Sequence, residues 1–370
     1  MKVALVCDWY HPRVGGLELQ LQDLAARLVA AGHDVVVVTP TPGDDVVNGI
    51  RVRRIEAPRA PVFEFLYTPA GVHAVGEALS NERVDVAHCH VSIVSPAALG
   101  GALGAQRRRI ATVVTFHSVV PQTHLLARAA RLALGTSRWR ARFSAVSNRV
   151  ARDVAPIAGR QPITVIPNGV DVGFWRAAPG RKANSTLCLV AVGRLNAKKR
   201  MLALVGMMAR LVTLLGDDQQ IVLRIIGDGP QRDLLDGAIA RAGLAGRIQL
   251  LGARTREEIR DAFGQSDIFV LAAVRESFGL AAVEARCAGL PVVAMAASAV
   301  SEVIEHGREG LLANSDAELA EHVAALARDP DLRNLIAWHN RDTAPPCDWA
   351  DVTERNVQLY RDAMTLRDSV

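Results

Sequence analysis

The feature that most constrains the fold is an alternation of apolar strand-like runs with amphipathic helical stretches, which occurs twice along the chain. The first series begins with KVALVC and ends with ITVIP. Near Ala177 the composition changes to the polar segment RAAPGRKANS, and the alternation then restarts at TLCLVAVG. Such alternation predicts right-handed βαβ units and therefore parallel sheets. The sequence thus predicts an α/β protein of two tandem, doubly wound Rossmann-like domains.

The predicted domains cover residues 1–175 and 176–345, and a closing segment over 346–370 is predicted to be helical. With 370 residues, half of them apolar, the chain is long enough to bury two cores. Ligands of open α/β sheets bind at the carboxyl ends of the strands. A ligand shared by both domains is therefore expected in a deep cleft between them.

Several classes of protein are disfavoured because their patterns are missing. No G-x-G-x-x-G follows the first strand, and no G-x-x-x-x-G-K-[ST] is present, which argues against dehydrogenases and P-loop NTPases. The five cysteines form no C-x-x-C pair, which suits a reduced compartment. The first residues lead into a strand without a signal-peptide pattern, and the uncharged stretch 86–106 is interpreted as a strand followed by a helix. We therefore expect a cytoplasmic protein.

The net charge of +5 is unevenly distributed along the chain. Residues 1–175 hold 19 Lys and Arg against 13 Asp and Glu, whereas the remainder holds 24 against 25. Between Asp85 and Asp153 there are ten arginines and no acid. Such a stretch attracts nucleic acid, anionic lipid or a phosphorylated acceptor, or it is simply a solvated surface. It has few interleaved aromatic residues and no known nucleic-acid module, so we expect no nucleic-acid partner.

One interpretation of the basic stretch is a peripheral contact with anionic lipid on the inner face of the plasma membrane. Apolar and basic side chains are mixed there, and a second apolar group lies in APVFEFLY. The alternative is that the leucines are core and the arginines solvated, which would favour a soluble acceptor. The side chains concerned are Leu125, Leu126, Leu132 and Leu134, with Arg128, Arg131, Arg138, Arg140 and Arg142, and Phe63, Phe65, Leu66 and Tyr67.

Four patterns at predicted strand ends suggest a site for a diphosphate. Gly15 and Gly16 stand where a helix begins, and their backbone can approach phosphate closely; the alternative is a tight turn, where Gly-Gly is also common. Arg194 and Lys199, in VGRLNAKKR, are suited to neutralising a departing diphosphate, and the alternative is that both are surface residues. His117 ends the strand IATVVTF and is a candidate for holding donor or acceptor.

The block ESFGLAAVEARCAGLPVVA is the most specific of the four patterns. Glu276 and Glu284 have seven residues between them, and Ser277 is predicted to cap a helix running to Ala288. Ser277 and Glu284 would then share one face, about 10 Å apart along the axis, which suits a hexose at one carboxylate and a ribose at the other. By spacing alone, two exposed glutamates are the alternative.

No metal site is predicted. His88 and His90 alternate on one strand and resemble a metal pair, but no third ligand is evident. The single D-x-D, Asp329 to Asp331, is better explained as the end of one helix and the start of the next, with Pro330 in the first turn.

Taken together, these motifs resemble the retaining GT-B glycosyltransferases of family four, which include enzymes that glycosylate phosphatidylinositol. The resemblance covers nearly the whole chain. The motifs that carry it are GGLE, VTFHS, SAVSN, VIPNGVD, VGRLNAKK, IIGDGP, the E-x7-E block and the closing helix, which in this family crosses back onto the first domain. One departure is AASAVSEVIEHG, where the family commonly has a Gly-rich turn.

The resemblance implies a GT-B fold and transfer of a hexose from a UDP- or GDP-sugar to a lipid-linked or glycan acceptor. It also implies retention of anomeric configuration, no metal or other cofactor, and a leaving phosphate that acts as its own base. An inactive scaffold subunit and a transferase for a soluble small molecule remain the alternatives.

The resemblance also implies a role for each matching residue. Gly15 and Gly16 would pass close to the donor diphosphate, Arg194 and Lys199 would bind its phosphates, and His117 would lie beside the transferred sugar. Glu276 would hold that sugar and Glu284 the ribose. Backbone N–H groups for the donor would come from Phe278, Gly279 and Leu280.

Overall fold

The computed structural model describes residues 1–13, 15–56, 68–92, 95–119, 135–178, 186–216 and 219–369. The apolar side chains predicted for membrane contact at 63–67 and 125–134, with Arg128 and Arg131, lie outside these residues. The chain divides into two compact units. Unit 1 comprises Met1–Gly169 and Trp349–Val370, and unit 2 comprises Val170–Asp348.

Unit 1 is built on an eight-stranded sheet in the order β3-β4-β2-β1-β5-β6-β7-β8, parallel except for the β3–β4 pair. Strands β1, β5 and β6 are buried along almost their whole length, as in parallel sheets that are covered on both faces. The strands are β1 Lys2–Val6, β2 Asp34–Thr39, β3 Val46–Val47, β4 Ile50–Arg54, β5 Val86–Val91, β6 Ala111–Phe116, β7 Ala141–Ala145 and β8 Ile163–Val165.

The helices of unit 1 include the last helix of the chain, which packs on β6 and on the first helix. Gly169 allows this return, because a Cβ there would stand 2.3 Å from the Trp349 ring. The described helices are α1 Gly16–Ala30, α2 Pro69–Asn81, α3 Pro96–Arg107 and α4 Asn148–Ala158, with a short 3₁₀ turn at Thr136–Arg138. The last helix of the chain is α12 Trp349–Asp368, and helices α5 to α11 belong to unit 2.

Unit 2 has a six-stranded, fully parallel sheet in the order β11-β10-β9-β12-β13-β14. The strands are β9 Leu187–Val192, β10 Ile221–Ile226, β11 Ile248–Gly252, β12 Ile268–Leu271, β13 Val292–Met295 and β14 Gly310–Ala313. The helices are α5 Val172–Arg176, α6 Met201–Leu215, α7 Arg232–Arg241, α8 Arg256–Gly264, α9 Leu280–Cys287, α10 Asp316–Arg328 and α11 Pro330–Asp342, with 3₁₀ turns at Ala197–Lys199 and Ala299–Glu302.

Local signals explain several of these boundaries. Thr255 and Glu258 form a reciprocal capping box at the start of α8. The predicted break at the D-x-D is confirmed, because α10 ends at Arg328 and the Asp329 side chain accepts a hydrogen bond from Leu332 N at 2.9 Å. The strand-then-helix interpretation of residues 86–106 is also confirmed by β5 and α3.

Candidate functional site

In unit 2, Lys199 and Glu276 meet at the carboxyl ends of two neighbouring strands. Lys199 ends the 3₁₀ turn after β9, where Asn196 Oδ1 accepts a hydrogen bond from its backbone N at 3.1 Å. Glu276 follows β12, which pairs with β9. Lys199 Nζ lies 2.5 Å from Glu276 Oε2, and Glu276 is 9% exposed. The structure therefore joins one of the predicted phosphate ligands to the predicted sugar ligand in an ion pair.

Arg194 is exposed in the loop that follows β9. This loop runs very close to the loop after β10, because a Cβ on Gly227 would stand 2.1 Å from Gly193 O. The two loops are joined by hydrogen bonds from Gly193 N to Ile226 O at 3.0 Å and from Leu195 N to Asp228 O at 2.9 Å. The glycines of VGRLN and IIGDGP thus fix the backbone that carries Arg194.

The helix predicted to be capped by Ser277 is capped two residues later. Gly279 is its N-cap with φ +87°, and α9 runs from Leu280 to Cys287. A Cβ on Gly279 would lie 2.3 Å from Val300 Cγ2, so the chain makes a tight left-handed turn there before the helix starts. The prediction that Ser277 and Glu284 share a helix face was therefore wrong, and the axial spacing of about 10 Å does not apply.

The other predicted residues of this block are dispersed around the turn. Phe278 is 3% exposed and belongs to the core of unit 2, whereas Glu284 lies half-buried on α9. Where the family commonly has a Gly-rich turn, Ser298 caps the 3₁₀ turn and its Oγ accepts from Val300 N at 3.3 Å. The backbone N of Ala299 donates to Glu276 O at 3.1 Å, so this serine segment supports the loop that carries Glu276.

In unit 1, His117 follows β6 directly and its backbone N donates to Val91 O at 2.8 Å. Its Nε2 lies 3.0 Å from Nδ1 of His90. Burial lowers the pKa of His117 to about 4, and a hydrogen bond with the Asn168 side chain acts in the opposite direction. His117 is therefore a neutral imidazole at pH 7.

Gly15 is the N-cap of α1 and Gly16 its first residue, which confirms the predicted helix start. A Cβ on Gly15 would lie 2.5 Å from Glu18 Oε2, whereas one on Gly16 would meet nothing within 4 Å. Glu18 is 6% exposed and pairs with Arg13 at 3.5 Å. Gly15 therefore makes room for a buried carboxylate of its own helix, and Gly16 leaves open space at the helix start.

Asp8 is a buried carboxylate of this region that sequence reasoning missed. It follows β1 and accepts hydrogen bonds from Ala97 N at 2.8 Å and Ala98 N at 3.2 Å, in the first turn of α3. Burial raises its pKa to about 6, against the effect of those two backbone bonds. An acid directly after the apolar run VALVC was the available signal.

The amino-terminal edge of the same sheet carries a basic groove of about 850 Å³. Arg109 precedes β6 and Arg140 precedes β7, so the groove lies at the edge opposite to His117. Its apolar lining residues are Leu103, Ile110 and Trp139. Its charged lining residues are Arg107, Arg109, Arg138, Arg140, Arg367 and Asp368, of which the last two pair at 2.6 Å.

Arg142 differs from its neighbours Arg138 and Arg140. It is half-buried, and its Nε donates to Asp362 O of α12 at 3.3 Å. Arg138 and Arg140 are exposed. Five arginines were predicted for lipid contact, and of the three that the structure describes, Arg138 and Arg140 line the groove.

Across the residues that the structure describes, no three His, Cys, Asp or Glu side chains are grouped as a metal site. His88, one of the two histidines that resembled a metal pair, has both ring nitrogens hydrogen-bonded to hydroxyl groups. Within the same described ranges, no helix combines the length and apolar character needed to cross a membrane.

Two family models match the chain in consecutive segments. The model described as Glycosyltransferase Family 4 matches residues 14–174, and the one described as Glycosyl transferases group 1 matches residues 175–341. The chain belongs to glycosyltransferase family 4. The family membership predicted from the motifs is thereby confirmed, and the protein is a glycosyltransferase.

Relatives and solved structures agree with this assignment. The chain is 26% identical to the phosphatidylinositol N-acetylglucosaminyltransferase GPI3 subunit of Saccharomyces cerevisiae (strain YJM789), over 97% of this chain and 82% of that protein. It is 29% identical to a glycogen synthase of Mycobacterium tuberculosis, over 96% and 94%. The structure of Anabaena HepE in complex with UDP and glucose superposes with a TM-score of 0.74 at 22% identity, covering 100% of both chains. This structural likeness confirms the predicted GT-B fold.

Proposed function

We propose that this glycosyltransferase moves a hexose from a nucleotide-diphosphate sugar to its acceptor with retention of configuration and without a metal. The observation that carries the proposal is the Lys199–Glu276 ion pair at the carboxyl ends of β9 and β12. Strand ends of this kind are where open α/β sheets bind ligands. The HepE structure, which contains UDP and glucose, makes a UDP-sugar the first donor to test.

The chemistry proposed for unit 2 follows from charge. The bond between the sugar C1 and the diphosphate oxygen breaks, and the electron pair goes to the leaving phosphate. Lys199 and the exposed Arg194 stabilise the negative charge that develops there. Glu276 accepts hydrogen bonds from sugar hydroxyls and thereby orients the ring.

The acceptor hydroxyl then forms the new bond to C1 on the face that the diphosphate leaves. Its proton passes to a phosphate oxygen of the leaving group, so no protein base is required. We assign His117 a place beside the transferred sugar as a neutral hydrogen-bonding group. Glu284 is proposed to hold the ribose.

A thermal-shift panel of UDP-, GDP- and ADP-sugars tests donor binding, since a ligand that binds the folded state stabilises it by mass action. One of the three should raise the melting temperature in EDTA-containing buffer. Arg194→Ala should reduce that shift, whereas Arg241→Ala, an exposed arginine on α7, should not. If none of the three donor sugars raises the melting temperature, the proposal is contradicted. A rise that appears only with magnesium would also contradict it.

We also propose a lipid-linked acceptor reached at an anionic membrane surface. The GPI3 subunit that this chain resembles is named for phosphatidylinositol. The basic groove of unit 1 supports the membrane contact, because the exposed Arg138 and Arg140 line it together with apolar side chains. Each basic residue near an anionic surface contributes about 1 kcal/mol. The groove lies at the sheet edge opposite to His117, so lipid bound there would not cover that histidine.

Vesicle sedimentation tests the membrane contact. The protein should bind vesicles containing phosphatidylserine and not neutral phosphatidylcholine vesicles, and salt should weaken the binding. The double variant Arg138→Ser/Arg140→Ser should lose binding, whereas Arg241→Ser/Arg308→Ser, with the same loss of charge at exposed positions of unit 2, should retain it. If both variants lose vesicle binding equally, net charge is the cause, and the groove is not the membrane contact.

A further inference from the structure

Three histidines of unit 1 form a continuous cluster, of which the proposed function uses one. His88 and His90 lie on the same face of β5 with ring centroids 3.9 Å apart. His117 follows the neighbouring strand β6, and its ring centroid is 5.2 Å from that of His90. His90 is therefore in contact with both of the other rings.

His88 anchors the cluster to the surrounding elements. Its Nδ1 lies 2.8 Å from the Tyr360 hydroxyl of α12, and its Nε2 lies 2.6 Å from Thr115 Oγ1 of β6. Thr115 Oγ1 is in turn 2.5 Å from Ser144 Oγ of β7. Both nitrogens of His88 are thus occupied, and the ring is fixed between the last helix and the sheet.

His90 has one side-chain partner among the residues that the structure describes. Its Nδ1 faces His117 Nε2 at 3.0 Å, whereas its Nε2 is buried and has no hydrogen-bond partner there. His90 is 2% exposed and lines a cavity of about 30 Å³, enough room for about one water molecule. The contact with His117 therefore orients His90. It is also the contact through which His90 can act.

The groups around the two rings decide which of them donates the hydrogen bond and which accepts it. Burial lowers the pKa of both histidines, so each ring is neutral at pH 7 and carries one N–H. A proton on Nε2 of His90 would be a buried N–H donor without an acceptor among the described residues, which folded proteins rarely leave, so the proton of His90 is on Nδ1. Nε2 of His117 then accepts this hydrogen bond, so the single N–H of His117 is on Nδ1.

We propose that His90 is a positioning residue whose Nδ1–H donates to Nε2 of His117 and holds His117 as its Nδ1–H tautomer. The partner of a ring nitrogen sets which nitrogen carries the proton. With its lone pair engaged by His90, His117 acts as a hydrogen-bond donor and not as a general base. An oxygen of a bound donor would compete with Asn168 for this N–H, a consequence that rests on the proposed function.

The tautomer is measured directly by long-range ¹⁵N–¹H correlation of the imidazoles in ¹⁵N-histidine-labelled protein at pH 7 without substrate. The resonances of His117 are assigned by their loss in His117→Gln. The expected result is a protonated Nδ1 and a bare Nε2 on His117. A proton on Nε2 of His117 in the wild-type protein would overturn the proposal, because His90 would then be the acceptor.

Two substitutions at His90 separate positioning from packing. His90→Asn keeps an amide N–H near the place of Nδ1, whereas His90→Leu removes it, and His73→Leu at an exposed position of α2 is the control. In His90→Leu we expect both His117 tautomers and a kcat about tenfold lower, the loss of one net hydrogen bond, with an unchanged donor KM. His90→Asn should restore the tautomer and kcat.

A His90→Leu protein that keeps the Nδ1–H tautomer and full kcat would contradict the positioning role. If the wild-type protein transfers no sugar at all, the proposed function fails, whereas the wild-type tautomer still decides the role of His90. The two failures are therefore distinguishable.

Discussion

Lys199 Nζ lies 2.5 Å from Glu276 Oε2, so the cation proposed for the donor phosphates and the carboxylate proposed for the donor sugar neutralise each other in the free protein. Their side chains are 27% and 11% exposed, which makes this pair stronger than a fully solvated one. In the proposed function, a bound donor replaces this pairing with phosphate oxygens at Lys199 and sugar hydroxyls at Glu276. The pair therefore links recognition of the two halves of the donor.

Substitutions of Glu276 and Glu284 should have different effects on nucleotide affinity. Glu276→Ala releases Lys199 from its partner, so the affinity for free UDP or GDP should be unchanged or tighter, although sugar transfer is lost. Glu284→Ala should weaken the affinity for the same nucleotide, because this residue is proposed to hold the ribose. Isothermal calorimetry of both variants checks the prediction, and equal losses of affinity would refute the division of roles.

The turn before α9 should be sensitive to a single methyl group. Gly279 has φ +87°, and a Cβ there would lie 2.3 Å from Val300 Cγ2. We expect Gly279→Ala to destabilise the protein by roughly 1–3 kcal/mol, the scale of a strained backbone position. Gly206→Ala is the control, because this glycine lies inside α6 with nothing within 4 Å, and the change should stabilise by about 0.5–1 kcal/mol. Urea unfolding measures the free energy of unfolding of both variants. Equal changes in the two would contradict the tight turn at Gly279.

The histidine cluster should make unit 1 lose stability in mild acid. Burial lowers the pKa of His88 to about 3 and of His117 to about 4 from the ordinary value of 6.5, and that of His90 well below it. As the pH falls below 6.5 the unfolded chain takes up protons that the folded chain does not, so the free energy of unfolding decreases towards pH 4. For His117 alone the decrease is about 3 kcal/mol.

Asp8 acts in the opposite direction. Its pKa is raised from 3.8 to about 6, so the folded chain binds this proton first and gains stability as the pH falls through that range. The combined shifts of the three histidines exceed this single shift, and the net effect should be a lower melting temperature at pH 5 than at pH 7. Calorimetric scans over this range check the sign. A melting temperature that is flat or rises towards pH 5 would contradict the buried, neutral cluster.

The sequence predicted the architecture well because its signals are local and repeated. Apolar runs separated by amphipathic stretches specify parallel strands and crossover helices wherever they occur, and both sheets follow from them. The start of α1 and the break at Asp329 were also predicted, since Gly15, Asp329 and Pro330 determine these helix ends through local conformation and capping.

The sequence failed where a contact between distant segments decides the structure. The N-cap of α9 is Gly279 and not the predicted Ser277, because Val300, more than twenty residues further along the chain, lies against Gly279. Three other features likewise depend on packing between distant segments. They are the contact between His90 and His117, the burial of Asp8 under α3, and the hydrogen bond from Arg142 to α12. No spacing rule within one segment reveals such contacts.

The most direct test of the proposed chemistry is the initial rate of nucleoside diphosphate release from the stabilising donor sugar in excess EDTA, with phosphatidylinositol-containing vesicles as acceptor. The rate should equal that measured with magnesium. It should fall by roughly 10²- to 10³-fold in Lys199→Ala and in Arg194→Ala, the cost of removing one charge-stabilising donor, and stay unchanged in Arg241→Ala. Abolition of turnover by EDTA with recovery on adding magnesium would contradict the account.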